Sequence, residues 1–221
     1  MLLKIAAIAF TIVISYLIGS INSAITVCKI AKHDDIRKYG SNNAGLTNVF
    51  RVYGKGPALA TLLCDLAKGI IAVLICRLVV TYVFGVTFFD NTMFIGYIAG
   101  FSVMLGHIFP VFYGFHGGKG VLIAASTLLA IDPLTCLLSV SLFVIIVAIT
   151  KYISIGSICA AVSYPVFTII TQLLRNTKGA VPDMIVAILI ASCIIYMHRS
   201  NIKRLIAGNE NKFSFKSKKE K

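Results

Sequence analysis

Two stretches of this sequence combine residue types that suit the handling of phosphate. The first is Gly40-Ser41-Asn42-Asn43-Ala44-Gly45-Leu46-Thr47-Asn48-Val49-Phe50-Arg51. It offers flexible backbone at Gly40 and Gly45, hydroxyl and amide donors at Ser41, Asn43, Thr47 and Asn48, and one fixed cation at Arg51. Backbone amides can close on a phosphate, and an arginine fork binds two of its oxygens. Residues alone leave a second reading open, a polar loop at a membrane surface with a topogenic arginine.

The second stretch runs Gly106-His107-Ile108-Phe109-Pro110 and then His116-Gly117-Gly118-Lys119-Gly120. It is not a Walker A loop. That motif needs a glycine where Tyr113 stands and Ser or Thr where Gly120 stands. What remains is a lysine flanked by glycines at a helix entrance, where backbone amides and the helix dipole both favour an anion. The plain alternative is a flexible turn between helices.

Three smaller groups accompany them. Lys151-x-x-Ser154-x-x-Ser157 supplies hydroxyls, although serine is also common packing material in membrane helices. His198-x-x-Asn201 precedes Arg204, Gly208 and Glu210, and an i, i+3 spacing sets His198 and Asn201 on one helix face. Asp65 and Lys68 have the same spacing inside an apolar run, where charged residues are functional candidates or a structural ion pair. Arg77, further along that run, is expected to snorkel.

The elements that carry these groups follow from composition. Hydrophobic residues make up 58% of the 221 residues and charged residues 13%, and the mean hydropathy is +0.90. An integral membrane protein is expected, with spans of roughly 20 residues each. Seven apolar segments can be read, at residues 3–27, 57–84, 92–113, 120–131, 133–150, 153–174 and 181–198. The fourth is too short to span alone, and Asp132-Pro133 ends it. Lys4 and the apolar run after it resemble a signal peptide, but the remainder is equally apolar, so an uncleaved first helix is expected.

The net charge of +13 gathers in residues 29–55 and in the tail after His198, which the positive-inside rule sets in the cytoplasm. Seven crossings then place the Lys119 loop and Lys151 on that side and the N-terminus outside, with Arg175 and Lys178 against the rule. Lipid head groups and phosphorylated substrates are the expected counter-charges, and nucleic acid is not an expected partner. The six cysteines form no Cys-x-x-Cys pair and read as apolar packing residues, with no metal site expected.

In this order the motifs resemble one family, the acyl-phosphate-dependent glycerol-3-phosphate acyltransferases of bacteria. The likeness rests on the Gly40-to-Arg51 segment, Asp65-x-x-Lys68-Gly69, the Gly106-to-Gly120 stretch, Ser154-x-x-Ser157 and His198-x-x-Asn201, and it covers about Gly19 to Glu210. Departures are Asn42 where glycine is usual, Leu46 where a small residue is usual, Leu122-Ile123 for Ala-Thr, and His116 for lysine.

The resemblance implies an all-α, seven-helix multi-pass protein of the bacterial cytoplasmic (inner) membrane. Residues 1–210 would form the acyltransferase domain and residues 211–221 a basic cytoplasmic tail. It implies transfer of a fatty acyl group from acyl phosphate to the 1-hydroxyl of glycerol 3-phosphate, giving lysophosphatidic acid and phosphate for phospholipid synthesis. Ser41, Arg51, Lys119, His198 and Asn201 would be catalytic. Gly40, Asn43, Gly45, Thr47, Asn48, Lys68, His107, Gly117, Gly118, Gly120, Ser154 and Ser157 would bind substrate or phosphate. A soluble acyl-phosphate synthase is the expected partner, and neither a cofactor nor an acyl carrier protein is expected to take part directly.

The His-x4-Asp signature of the coenzyme A-dependent acyltransferases is absent: Lys38, Phe112, Val121 and Lys203 stand five residues after the four histidines. The competing reading is a membrane transporter of a phosphorylated or carboxylated anion. It would need polar residues at a midplane site, whereas the polar clusters here gather toward one face.

Overall fold

The computed structural model describes residues 1–213. The tail residues Lys216, Lys218, Lys219, Glu220 and Lys221 lie outside the described residues, as does most of the 211–221 segment. Among the described residues regular structure is helical, apart from an isolated bridge between Phe88 and Asn91. The helices are α1 (Leu2–Ser20), α2 (Ser23–Lys32), α3 (Leu46–Tyr53), α4 (Lys55–Tyr82), α5 (Phe94–Ile108), α6 (Val121–Ile131), α7 (Pro133–Thr150), α8 (Ile153–Leu174), α9 (Ala180–Met197) and α10 (Arg199–Ile206).

Among the described residues six helical stretches are long and apolar enough to cross a membrane: Leu2–Lys32, Lys55–Tyr82, Phe94–Tyr113, Pro133–Thr150, Ile153–Leu174 and Ala180–Met197. The seventh expected segment is α6. Its 11 residues reach about 16 Å at 1.5 Å per residue. That is well short of the ~30 Å hydrocarbon core.

The first apolar segment, expected as a continuous run over residues 3–27, is broken. α1 ends at Ser20, and Asn22 starts α2 by accepting the Ile25 N–H on its side-chain oxygen at 3.1 Å. Asparagine is among the best N-caps, and here it competes successfully with an otherwise apolar helix.

α1 packs chiefly on α5, and the contact depends on two glycines. A side chain at Gly19 would strike the Val103 carbonyl, and one at Gly106 would strike the Tyr16 carbonyl. Close helix approach through small residues is the usual packing device in membranes. It sets the Ile21–Asn22 break beside His107, where the site is built.

Long apolar side chains such as Leu63, Leu78, Ile145 and Leu173 face outward, while Thr11, Ser15, Thr127, Thr171 and Asp183 are buried. The buried polar groups join helices. Asp132 caps α7 through the Leu134 and Thr135 amides and also accepts from the Thr135 and Thr171 hydroxyls and from Arg175 at 2.9 Å. Arg175, expected to run against the charge rule, is the partner of a buried carboxylate. Arg77, expected to snorkel, donates to the Ala130 carbonyl at 3.3 Å, where α6 ends with carbonyls that lack intrahelical partners.

Candidate active site

The loop before α3 is closed from within by Asn48. Its side-chain oxygen accepts the Ser41 N–H at 2.9 Å, and its amide donates to the carbonyls of Ile36, Tyr39 and Asn43 at 3.3, 3.0 and 3.1 Å. Every polar atom of Asn48 is therefore committed to the loop backbone. Gly40 and Asn42 hold φ of +61° and +57°. Asparagine tolerates this left-handed conformation, so Asn42 serves where glycine is usual. Arg51, one turn after Asn48 on α3, faces a cavity together with Ser41, Asn43, Gly45 and Thr47.

The second loop folds back on the end of α5. The Gly117 N–H donates to the Ile108 carbonyl at 3.0 Å and the Gly118 N–H to the His107 carbonyl at 3.1 Å. These two amides close the loop and do not point into the cavity. What the loop presents is the Lys119 side chain and the N-terminus of α6, entered through Gly120. The two loops are tied at their outer rims by Arg37. It pairs with Asp35 at 2.7 Å and donates to the Tyr113 and His116 carbonyls at 2.7 and 3.1 Å.

The far wall comes from α8, α9 and α10. Lys119 Nζ donates to the Asn201 side-chain oxygen. The Asn201 amide donates to Glu210 Oε1 at 2.7 Å, and Arg204 Nε donates to Glu210 Oε2 at 2.7 Å. The chain after α10 folds back to allow this, and the Phe213 N–H reaches the Lys151 carbonyl at 2.7 Å. Ser154 stands beside Glu210. Ser157 Oγ donates to the Ile153 carbonyl one turn back at 2.9 Å.

The charges are tuned by this packing. Burial pushes Lys119 down to about 8, helped by the Arg204 and Arg51 charges and opposed by Glu210. Burial acts against ionised Glu210, but hydrogen bonds from Asn201 and Arg204 outweigh it and hold the carboxyl below its usual range. His198 is pushed down to about 4, chiefly by burial, against the Ile194 carbonyl. His198 Nδ1 lies 2.8 Å from that carbonyl. The neutral ring therefore donates from Nδ1 and keeps Nε2 as an acceptor.

These walls enclose a cavity of about 360 Å³. Its polar end collects Ser41, Arg51, Lys119, Ser154, Ser157, His198 and Asn201. An apolar arm runs between α6, α7 and α8, lined by Leu128, Val140, Phe143, Ala161 and Tyr164. Gly40, Lys68, Gly117 and Gly118 do not line it, whereas His107 and Gly120 do.

Arg204 and Glu210, beyond the expected site residues, also line the cavity, and both belong to the tail motif. The residues of the apolar arm carry no signal in the sequence, because they look like any lipid-facing ones. Among the described residues no group of three or more metal-ligating side chains occurs. The arrangement suits an anionic group at one end joined to a long apolar chain at the other.

A family model described as glycerol-3-phosphate acyltransferase matches residues 9–208. A glycerol-3-phosphate acyltransferase of Chlorobaculum parvum is 39% identical, the match covering 92% of this chain and 95% of the relative. One of Clostridioides difficile is 40% identical over 92% of this chain and 94% of its own. The crystal structure of PlsY (YgiH), an integral membrane glycerol 3-phosphate acyltransferase, in its glycerol 3-phosphate form is similar with a TM-score of 0.78. Its identity is 34%, over 94% of this chain and 96% of that one. Its lysophosphatidic acid form gives 0.74 at 33% identity. Matched along almost its whole length by sequence and by structure, the chain belongs to the glycerol-3-phosphate acyltransferase family.

Proposed function

We propose that this acyltransferase takes its acyl group from acyl phosphate and moves it to the 1-hydroxyl of glycerol 3-phosphate, releasing phosphate and lysophosphatidic acid. The observation that carries this reading is the convergence of Arg51 and Lys119 at the polar end of a cavity whose other arm is apolar. Acyl phosphate has that same division, and glycerol 3-phosphate brings a second phosphate to the cations. The glycerol 3-phosphate and lysophosphatidic acid forms of the similar crystal structure support the acceptor and the product.

Acyl phosphate is a mixed anhydride, already activated. The acceptor hydroxyl oxygen attacks the acyl carbon, the carbon–oxygen bond to the phosphoryl group breaks, and phosphate leaves with the bonding pair. Groups that stabilise the departing phosphate are sufficient for this step. Arg51 and Lys119 hold the phosphate groups and offset developing charge. Ser41, Asn43, Thr47, Ser154 and Ser157 present hydroxyls and an amide around them. Gly45 and Gly120 let the backbone approach, and the first amides of α6 add donors without helical partners. Gly40 and Asn48 shape the Ser41 loop, Gly117 and Gly118 close the Lys119 loop, and Asn201 orients Lys119.

The transfer is direct. A serine nucleophile needs an adjacent base, and among the described residues no hydrogen bond joins Ser41 Oγ to an imidazole or carboxylate. His198, pushed down to about 4, is a weak base at neutral pH. The acceptor's own phosphate, with a second pKa of about 6, is better matched to accept the hydroxyl proton. His198 Nε2 then serves as a hydrogen-bond acceptor that orients the hydroxyl.

The bilayer arrangement we propose has seven crossings, α6 and its recessed loop counting as one, with the N-terminus outside and the C-terminus in the cytoplasm. The polar end then faces the cytoplasm across a bacterial inner membrane, where a soluble acyl-phosphate synthase delivers the donor. Purified protein supplied with palmitoyl phosphate and labelled glycerol 3-phosphate should form labelled lysophosphatidic acid. Protein that is folded yet forms none would overturn the reading.

A further inference from the structure

Beside the Lys119 loop lies a charged trio that the mechanism above does not use, two of whose members, Asp65 and His107, also line the cavity. Asp65 and Lys68 sit one turn apart on α4, and His107 lies in the last turn of α5. Their exposures are 1%, 9% and 4%. Lys68 Nζ is 2.9 Å from Asp65 Oδ1. It donates to the Ile21 carbonyl at 3.1 Å, where the break between α1 and α2 leaves that oxygen without a helical partner. It also meets His107 Nδ1 at 3.1 Å.

The last contact fixes the imidazole. An ammonium has only protons to give, so Nδ1 must accept, and the single ring proton belongs on Nε2. That nitrogen faces the loop: a side chain at Gly118 would collide with both His107 Nε2 and the Ala44 carbonyl. The ring nitrogen, the Lys119 loop and the Ser41 loop therefore meet at one point. The His107 carbonyl holds the Gly118 N–H as well, and Asn22 reaches the Ala44 carbonyl at 3.4 Å.

A buried ion pair seldom stabilises a fold more than well-packed apolar residues would. Retaining one here makes sense where two loops must be held in exact register, because a shift of about 1 Å in a reacting group can cost roughly 100-fold in rate.

We propose that Asp65, Lys68 and His107 are positioning residues for the acyl transfer. Asp65 holds Lys68, Lys68 fixes the Nε2–H form of His107, and the ring sets the Gly117–Lys119 segment against Ala44. The distance between Lys119 and Arg51 depends on this register. The inference rests on reading the two loops as the phosphate site, and it assigns Lys68 and His107 an indirect role in place of substrate contact.

Two amide replacements of His107 separate the roles of its nitrogens. In His107→Gln the amide nitrogen reaches the place of Nε2. In His107→Asn the amide reaches only the place of Nδ1. A third variant, Asp65→Asn with Lys68→Met, removes both charges together and strands neither. Each full-length protein is assayed for equilibrium binding of glycerol 3-phosphate, for turnover with palmitoyl phosphate and for its unfolding midpoint.

His107→Gln should stay within about 10-fold of wild type, while His107→Asn loses on the order of 100-fold in kcat/KM with weaker glycerol 3-phosphate binding. The Asp65/Lys68 variant should match His107→Asn, and combining the two should add little, as expected for residues of one network. Unfolding midpoints should stay together. Equal activity of the Asn and Gln variants, or losses that multiply, would overturn the proposal. If His107→Asn fails to fold, wild-type kinetics in the Asp65/Lys68 variant would overturn it alone. Wild-type protein that binds no glycerol 3-phosphate would overturn the phosphate-site reading and this inference with it, a separate and recognisable result.

Discussion

Lys119 donates its ammonium proton to the side-chain oxygen of Asn201, 82 residues further along the chain. Asn201 can do this because its amide nitrogen is engaged by Glu210 at 2.7 Å, which fixes the direction in which the side chain points. One cation of the site is thus aimed by the C-terminal helix α10 and by the chain that folds back after it. Asn201→Asp would set a second carboxylate against Glu210 and capture Lys119 in an ion pair. It should lower kcat/KM by about 100-fold, comparable with losing one preorganised donor. Asn201→Ser, which keeps a small hydrogen-bonding group, should lose less. Steady-state kinetics on the two variants checks the order.

The cations themselves should be indispensable. Lys119→Ala and Arg51→Ala should each reduce turnover by roughly 100- to 1000-fold while the protein still inserts and folds. Arg51→Lys should fail nearly as badly, since a lysine cannot make the planar two-pronged contact with phosphate. Size-exclusion profiles beside the rate measurements would separate lost chemistry from lost fold.

The pH dependence follows from two groups. Lys119, held at about 8, is cationic below that pH and neutral above it. Binding of glycerol 3-phosphate should therefore weaken as pH rises through 8. His198, at about 4, is already neutral from pH 5 upward. The acid limb of the rate profile should follow the acceptor phosphate, near pH 6. His198→Gln should lower the rate yet leave that limb in place. A limb that vanishes in this variant would identify His198 as the base.

Much of the site was legible in the sequence because its parts are local. The Gly40-to-Arg51 loop and Lys119 announce themselves by residue type, and Ser154, Ser157, His198 and Asn201 fall at spacings that bring them to the same cavity. Less legible was what backbone partners would do. Gly117 and Gly118 look free to bind an anion, but their amides close the loop on His107 and Ile108. Asn48 looks like a ligand-binding amide, yet its donors and acceptor hold the loop. The break at Asn22 carried a usable signal, an N-capping residue before Ser23, masked by the apolar residues around it. Val140 and Phe143 in the apolar arm could not be told from lipid-facing neighbours, because a membrane helix can be apolar on every side.

The end of α6 away from the Lys119 loop offers a stability test. Asp132 is fully buried and joins α7 to α8 through Thr135, Thr171 and Arg175. Asp132→Ala removes a helix cap and leaves the Arg175 guanidinium without its carboxylate, while the Thr171 hydroxyl keeps the Phe167 carbonyl at 2.9 Å as an acceptor. It should cost on the order of 2–3 kcal/mol. The unfolding midpoint in detergent should fall, while the specific activity of the folded fraction stays near wild type.

Topology can be read by thiol labelling. In a variant whose six native cysteines are replaced, single cysteines at Lys55 and at Asp90 sit on exposed positions. In intact cells an impermeant reagent should label the residue-90 thiol and spare the residue-55 thiol. The opposite pattern would invert the orientation and turn the cavity mouth outward.

One competition experiment distinguishes the two possible acyl donors. Purified protein receives equal concentrations of palmitoyl phosphate and palmitoyl-coenzyme A with limiting labelled glycerol 3-phosphate. Lysophosphatidic acid, inorganic phosphate and free coenzyme A are then followed together. Transfer from acyl phosphate predicts one phosphate released for each lysophosphatidic acid formed and no coenzyme A above background. Coenzyme A release that keeps pace with lysophosphatidic acid would rule out acyl phosphate as the donor.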